Sequence, residues 1–208
     1  MTISVNHVLD TVSLLLQDPA NVRWSKPELL NWFNAGQREL LIYKPNANVK
    51  IAAVPTVAGT LQHVPADCNV FIRITRNMGS TGTTDGNAIR QVSHDLLDSQ
   101  NPQWHLDAAT GAFKHYTFVE NSPRNFYVYP RSNGNTQLEM VYSAFPPDAA
   151  LDGDSILDAA YETALVNYIL YRAYGKDADY AMNGDLATKY YTVFTSLLGG
   201  RTAGEASV

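Results

Sequence analysis

Catalysis or metal binding in this chain would have to be built from five histidines, a single cysteine and a few closely spaced aspartates. The histidines are His7, His63, His94, His105 and His115. No two stand at the i, i+4 spacing of a helical metal site, and neither HExxH nor HxH occurs, so a metal centre would need distant segments to converge. In "HVPADC", His63, Asp67 and Cys68 lie close together. A cysteine nucleophile needs a nearby base and electropositive surroundings, whereas the turn at Pro65 reads as an ordinary junction between loop and strand. One cysteine also excludes an intrachain disulfide and a cysteine metal cluster. Asp152 and Asp154 in "LDGDS" lack the Glu that closes an EF-hand loop, and fit the cap of a following helix instead. "GSTGTTDG" has glycines but no following Lys or helix start, so it is no phosphate cradle, and GxSxG and GxGxxG are absent. These residues lead us to expect no enzyme, no metal and no cofactor. The arrangement that would overturn this is a concave pocket in the middle of the chain around His94, His105 and His115, which would suit a hydrolytic or carbohydrate-binding module.

Composition narrows the classes further. Of the 208 residues, 45% are hydrophobic and 17% charged, which gives enough apolar material for a core and a surface that leans on Asn, Thr, Ser and Gln. The net charge is −5, and residues 152–208 alone hold eight acidic against four basic side chains. Without a Lys/Arg cluster the chain lacks the footprint of a tight nucleic-acid binder, although an acidic face can border nucleic acid that must slide past. The first residues, "MTISVNHVLDTVSLLLQD", carry no basic segment or small-residue cleavage site. No stretch reaches the roughly 18 apolar residues of a membrane span. A soluble protein of a reducing compartment, with no membrane partner, is expected.

The elements that would position any site come in three blocks. Val5, Val8, Leu9, Val12, Leu15 and Leu16 recur at helical spacing until Asp18-Pro19. "SKPELLNWFNAGQRELLIYKP" follows with Ser25 and Glu28 spaced as a capping box, Trp24 and Leu29 as a hydrophobic staple, and Pro45 as a stop. Gly36 falls on the apolar stripe of this helix, where it permits a close crossing. From Val49 the period changes to alternation: "VKIAAVPTVAGTLQHVP" reads as two short strands around Ala58-Gly59, and "NVFIRITRNM", "FKHYTFVE", "NFYVYP" and "TQLEMVYSAF" read as further strands of an antiparallel meander, with a hairpin signal at Ser132-Asn133-Gly134. Beyond Pro146-Pro147, a cap at Asp154 or Ser155 opens a helix along Leu157, Tyr161, Ala164, Tyr168 and Tyr171. A last helix runs from about Tyr180 to Leu198 before Gly199-Gly200. The expected fold is α+β: an antiparallel bundle of four helices from both chain ends (1–46 and 150–200), an inserted antiparallel β module (47–149), and a C-terminal tail (201–208).

Several residues stand out as contact candidates. Trp32 lies off the main stripe of its helix, as a second packing face or an intersubunit anchor. Tyr174 stands at a helix end and is expected to be exposed. Trp104 sits in a Pro/Asn/Gln loop, either exposed at an interface or pinning the loop. The polar loop Gly79–Asn87 offers Thr81, Thr83 and Asp85.

The order helix–helix–sheet–helix–helix resembles the head-to-tail adaptor (connector) proteins of tailed bacteriophages, chiefly the tail tubular protein A type of short-tailed phages. The resemblance is carried by "WSKPELLNWFNAGQREL", by "HVPADCNVFIRI", by "NFYVYP" with "TQLEMVYSAFPPD", and by the closing "ALVNYILYRAYGKDADYAMNGDLATKYYTVFTSLLG". It implies a structural virion protein of the neck or tail, present in the host cytoplasm during assembly. It further implies a homo-oligomeric ring of twelve copies between portal protein and tail nozzle protein, with double-stranded DNA passing through without specific binding. The tail Gly200, Arg201, Thr202, Ala203, Gly204, Glu205, Ala206, Ser207 and Val208 would grip the portal. Trp32, Thr81, Thr83, Asp85, Trp104 and Tyr174 would serve nozzle or intersubunit contacts. The same layout would suit another neck or tail-completion protein of a longer-tailed phage.

Overall fold

The computed structural model describes residues 2–118, 122–177 and 181–199. In chain order these form β1 (Thr2–Ser4), α1 (Val5–Leu15), α2 (Lys26–Tyr43), β2 (Val49–Pro55), β3 (Ala58–His63), β4 (Cys68–Asn77), β5 (Arg90–Gln91), α3 (His94–Gln100), β6 (His115–Phe118), β7 (Asn125–Asn133), β8 (Gln137–Ala144), β9 (Asp154–Asp158), α4 (Glu162–Lys176) and α5 (Ala181–Gly199). Short 3-10 turns stand at Pro45–Asn48 and Ala159–Tyr161. The chain divides into two compact units: a helical unit, Met1–Asn48 with Phe145–Val208, and a β unit, Val49–Ala144.

In the helical unit α4 is the hub. Ala164, Leu165, Val166, Tyr168, Ile169, Leu170 and Ala173 are all buried, so little of its circumference is left polar. Such a helix is stable only when neighbours cover it on several sides. Here α1, α2 and α5 all pack on it, and α5 rests mainly on α4. Gly36 of α2 permits a close crossing, because a Cβ there would stand 2.8 Å from the Tyr168 ring. Phe33, Leu40, Leu41, Val8, Leu9, Val12 and Phe194 complete one core. A short antiparallel ribbon closes the unit, with Ile3 opposite Ser155 and Ser4 opposite Asp154. Buried polar groups tie it to α2: Ser155 donates to the Gln37 amide oxygen, Gln37 donates to Asn34 at 2.9 Å, and Asn34 exchanges hydrogen bonds with the Ala149 backbone.

The β unit holds two sheets, ordered β2-β8-β4 and β3-β7-β6-β5. Their inner residues share one core, with Val54, Ile74, Leu138, Met140 and Tyr142 from the first sheet and Tyr116, Phe126 and Val128 from the second. The β2–β8 pairing is regular from Val49↔Ser143 to Pro55↔Gln137, whereas β4–β8 shifts register at three points. Such bulges twist and bend an edge strand.

The expected fold class is thereby corrected. Among the described residues there are five α-helices and nine strands in three sheets, not a four-helix bundle carrying one antiparallel module. Three local features cause the difference. "DSILD" is a strand and not a helix start: Ser155 and Leu157 are buried while Asp154, Ile156 and Asp158 are exposed, a period of two. The meander is replaced by strands that switch sheets, since β2 and β3 pair with β8 and β7 respectively. Nor is the module wholly antiparallel, because β5 pairs parallel to β6. The capping box is corrected as well. Ser25 is the N-cap of α2 but its side chain makes no cap hydrogen bond, and Glu28 turns instead to Lys176.

Candidate docking surfaces

The helical unit opens a cleft of about 550 Å³ lined by Glu28, Trp32, Tyr171, Arg172, Gly175 and Lys176. Two helical repeats build it. Glu28 and Trp32 stand one turn apart on α2, and Arg172 and Lys176 one turn apart on α4, so both pairs face the same groove. Lys176 is held by Glu28 and lies 5.3 Å from the centre of the Trp24 ring, which tilts on Trp32 at 5.7 Å. The guanidinium of Arg23 approaches the Trp24 ring as well, at 5.4 Å. Gly175 leaves the floor open, with the Ala187 Cβ no nearer than 4.0 Å to where its own would be. The result is an aromatic floor under two cations and one carboxylate.

Beside the cleft runs a tyrosine network. Tyr191 donates to Glu39 at 2.8 Å and pairs with the Tyr43 hydroxyl at 2.9 Å, while Tyr168 donates to the other Glu39 oxygen at 3.1 Å. Hydrogen bonding to Tyr43 and Glu39, with burial, pushes the Tyr191 phenol far above its ordinary range. Tyr174 is corrected from exposed to half-buried, because its ring stacks on Tyr190 with ring centres 5.5 Å apart. Burial pushes its phenol up.

In the β unit, Thr81, Thr83 and Asp85 are exposed on their loop. The Thr81 and Thr83 hydroxyls pair at 2.8 Å, and Asp85 reaches Arg76 at 2.9 Å. Trp104 is corrected as a surface contact. It is fully buried, stacked on His105 with ring centres 3.7 Å apart, and its Nε1 donates to Asp98 at 2.8 Å. Its role is to pin the loop.

The histidines do not converge on a pocket. His94 lines a cleft of about 470 Å³ with Gln91, Ser93, Asp95 and Thr117 among its neighbours. His105 lies near His94, with ring centres 6.5 Å apart, but bonds to the Thr60 hydroxyl at 2.8 Å, and His115 stacks on Tyr129. Burial, followed by the charge of His94, lowers the His105 basicity. "HVPADC" is likewise dispersed: His63 pairs with Asn125 at 2.6 Å, Asp67 with Lys50 at 3.0 Å, and Cys68 is buried, which pushes its thiol up and away from the reactive thiolate. Asp152 and Asp154 cap no helix, and accept from Asn6 at 2.9 Å and Thr2 at 3.0 Å. The described residues hold no group of three or more His, Cys, Asp or Glu able to ligate a metal ion, and no helix long and apolar enough to cross a membrane. Gly200 to Val208 lie outside the described residues. Sequence reasoning singled out Trp32, which is only 9% exposed and packs in the helical core, but missed Arg172 and Lys176, which line the same cleft and whose one-turn spacing beside Tyr171 was the available signal.

What this geometry offers is docking: open clefts with aromatic and charged walls, and polar side chains committed to one another rather than aimed at a reacting atom. The family model of the SU10 adaptor protein matches residues 4–208, and the chain belongs to that family. It is a structural, adaptor-type protein of a bacteriophage, a neck or tail component that associates with other parts of the virion. No curated protein matches it.

Proposed function

We propose that the chain is a ring-forming head-to-tail adaptor that joins the portal to the tail nozzle and leaves a bore for double-stranded DNA. Family membership is the observation that carries this reading. Charge placement supports it. The helical unit holds thirteen acidic and eight basic side chains, net −5, while the β unit holds seven of each. Repeated around a ring, the acidic unit gives a lumen that repels phosphate, so DNA passes without adhering. In this reading the helical units form the ring body, the tail Arg201–Val208 engages the portal, and the neutral β unit with its exposed Thr81, Thr83 and Asp85 meets the nozzle.

The test is the mass of the purified chain in solution, alone and with the portal protein of the same phage. The expected outcome is a ring on the portal, twelvefold by the resemblance, with capture weakened when Arg201–Val208 is deleted. A chain that stays monomeric and ignores the portal refutes the proposal.

A further inference from the structure

We propose that neighbouring copies join through two unlike surfaces of the helical unit, the strip of Asp152, Asp154 and Ile156 on one copy seating in the Trp32 and Arg172 cleft of the next. This rests on the ring-forming reading above and names the surfaces that would make the ring. The strip is acidic and aliphatic. From Asp148 to Glu162 the chain carries five carboxylates and no Lys or Arg. Ile156 projects from β9 with 54% of its surface exposed, next to Asp154 on the same strand face. Asp152 and Asp154 accept only neutral donors, from Asn6 and Thr2, and among the described residues no Lys or Arg pairs with either. The cleft is the complement: an aromatic floor for an aliphatic side chain and Arg172 on its wall for a carboxylate, with Lys176 balanced by Glu28 beside it. Arg172 is exposed, and its planar fork suits a bidentate carboxylate.

The two surfaces cannot meet within one copy. β9 leads into the start of α4, whereas Arg172 and Lys176 lie in its last turns, and a helix of 15 residues spans about 22 Å. Contact between unlike patches is heterologous. It propagates from copy to copy and closes into a ring when the rotation allows. Because the patches lie toward opposite ends of α4, a flat ring places that helix inclined to the ring axis.

The experiment uses the full chain with Arg172→Asp, Asp154→Arg, the pair combined, and Ile156→Asp, each checked for an unchanged circular dichroism spectrum and melting temperature. Assembly is followed by sedimentation velocity over a concentration series, alone and with the portal protein. Each single change is expected to raise the concentration needed for assembly by roughly tenfold or more, and the combined reversal to restore it. Rings that form equally well with every single change overturn this interface and leave the adaptor reading standing. Loss in the single variants without recovery in the combined one overturns the pairing. Arg172→Asp that weakens portal capture but not ring formation assigns the cleft to an acidic partner and overturns the contact between copies. A wild-type chain that assembles under neither condition overturns both the interface and the adaptor reading.

Discussion

The helical unit and the β unit are held together by different means. In the helical unit one apolar cluster runs through α1, α2, α4 and α5, and α2 meets α4 with a glycine against an aromatic ring. In the β unit the core is smaller, and the loops are fastened to it by buried side chains that bond to backbone. Gln62 accepts from the Val57 N–H and donates to the Val57 and Gly59 carbonyls. Asn77 donates to Asn87 and Phe113 and accepts from the Phe113 N–H. Non-directional packing tolerates a change of side chain if volume is kept, whereas a buried hydrogen-bond junction does not. The crossing of α2 and α4 is therefore sensitive to added volume, and the loops of the β unit to lost polarity.

The sharpest way to break this contrast is Gly36→Val. Its new Cβ would stand 2.8 Å from the Tyr168 ring and 3.3 Å from Leu165. Overpacking at a backbone-close crossing costs on the order of 3 kcal/mol, and any helix propensity recovered by removing glycine is below about 1 kcal/mol. Chemical denaturation should show the loss, with faster amide exchange in α2 and α4. Wild-type stability in this variant would mean that α2 and α4 are not locked by contact at this point. Asn77→Ala comes next. It strands the Phe113 N–H and removes two donors to carbonyls, for a cost of about 2–3 kcal/mol. Exchange should accelerate at Phe113 and leave α2 unchanged. Equal acceleration in both units would remove the distinction drawn above.

The same contrast governs what could be read in advance. Helix positions were legible because proline, glycine and apolar periodicity are local. The expected stop before Pro45 matches α2 ending at Tyr43, and the last helix ends at Gly199. Sheet membership was not legible. Only Thr56 and Val57 separate β2 from β3, yet the two strands join different sheets, and Gly134 turns at φ 80° between β7 and β8, which also part. Alternation shows which side chains face inward but not which strand lies opposite. β9 was misread because five alternating residues run directly into a helical stripe, and its partner Thr2–Ser4 is some 150 positions away in sequence. Trp32 was visible as an oddity on its helix; the cations that complete its cleft come from α4, and only the fold brings them there. Trp104 could be read either way because its neighbours are polar; in the fold His105, Asp98 and Tyr127 wall it in.

That buried tryptophan reports the smallest of the expected effects, a pH response confined to the β unit. His105 sits beside Trp104, His94 and Tyr127, bonds to Thr60, and faces Asp98. Burial and the His94 charge hold its folded pKa below the ordinary 6.5, with Asp98 opposing in part. The unfolded chain therefore binds more protons than the folded one between those two values, and stability rises with pH across that window. The contribution is fully present above 6.5 and is lost as the pH falls through the folded value. Solvent exposure of the ring keeps the effect small. Trp104 fluorescence should show a lower melting temperature at about pH 5.5 than at about pH 7.5, and His105→Gln should reduce that difference. The helical unit's one histidine, His7, is exposed and meets Glu162 at 3.4 Å. Exchange from α2 and α4 should accordingly show no matching loss over that interval. A His105→Gln variant with the full wild-type pH slope would assign the response to another group and leave the aromatic stack as packing alone.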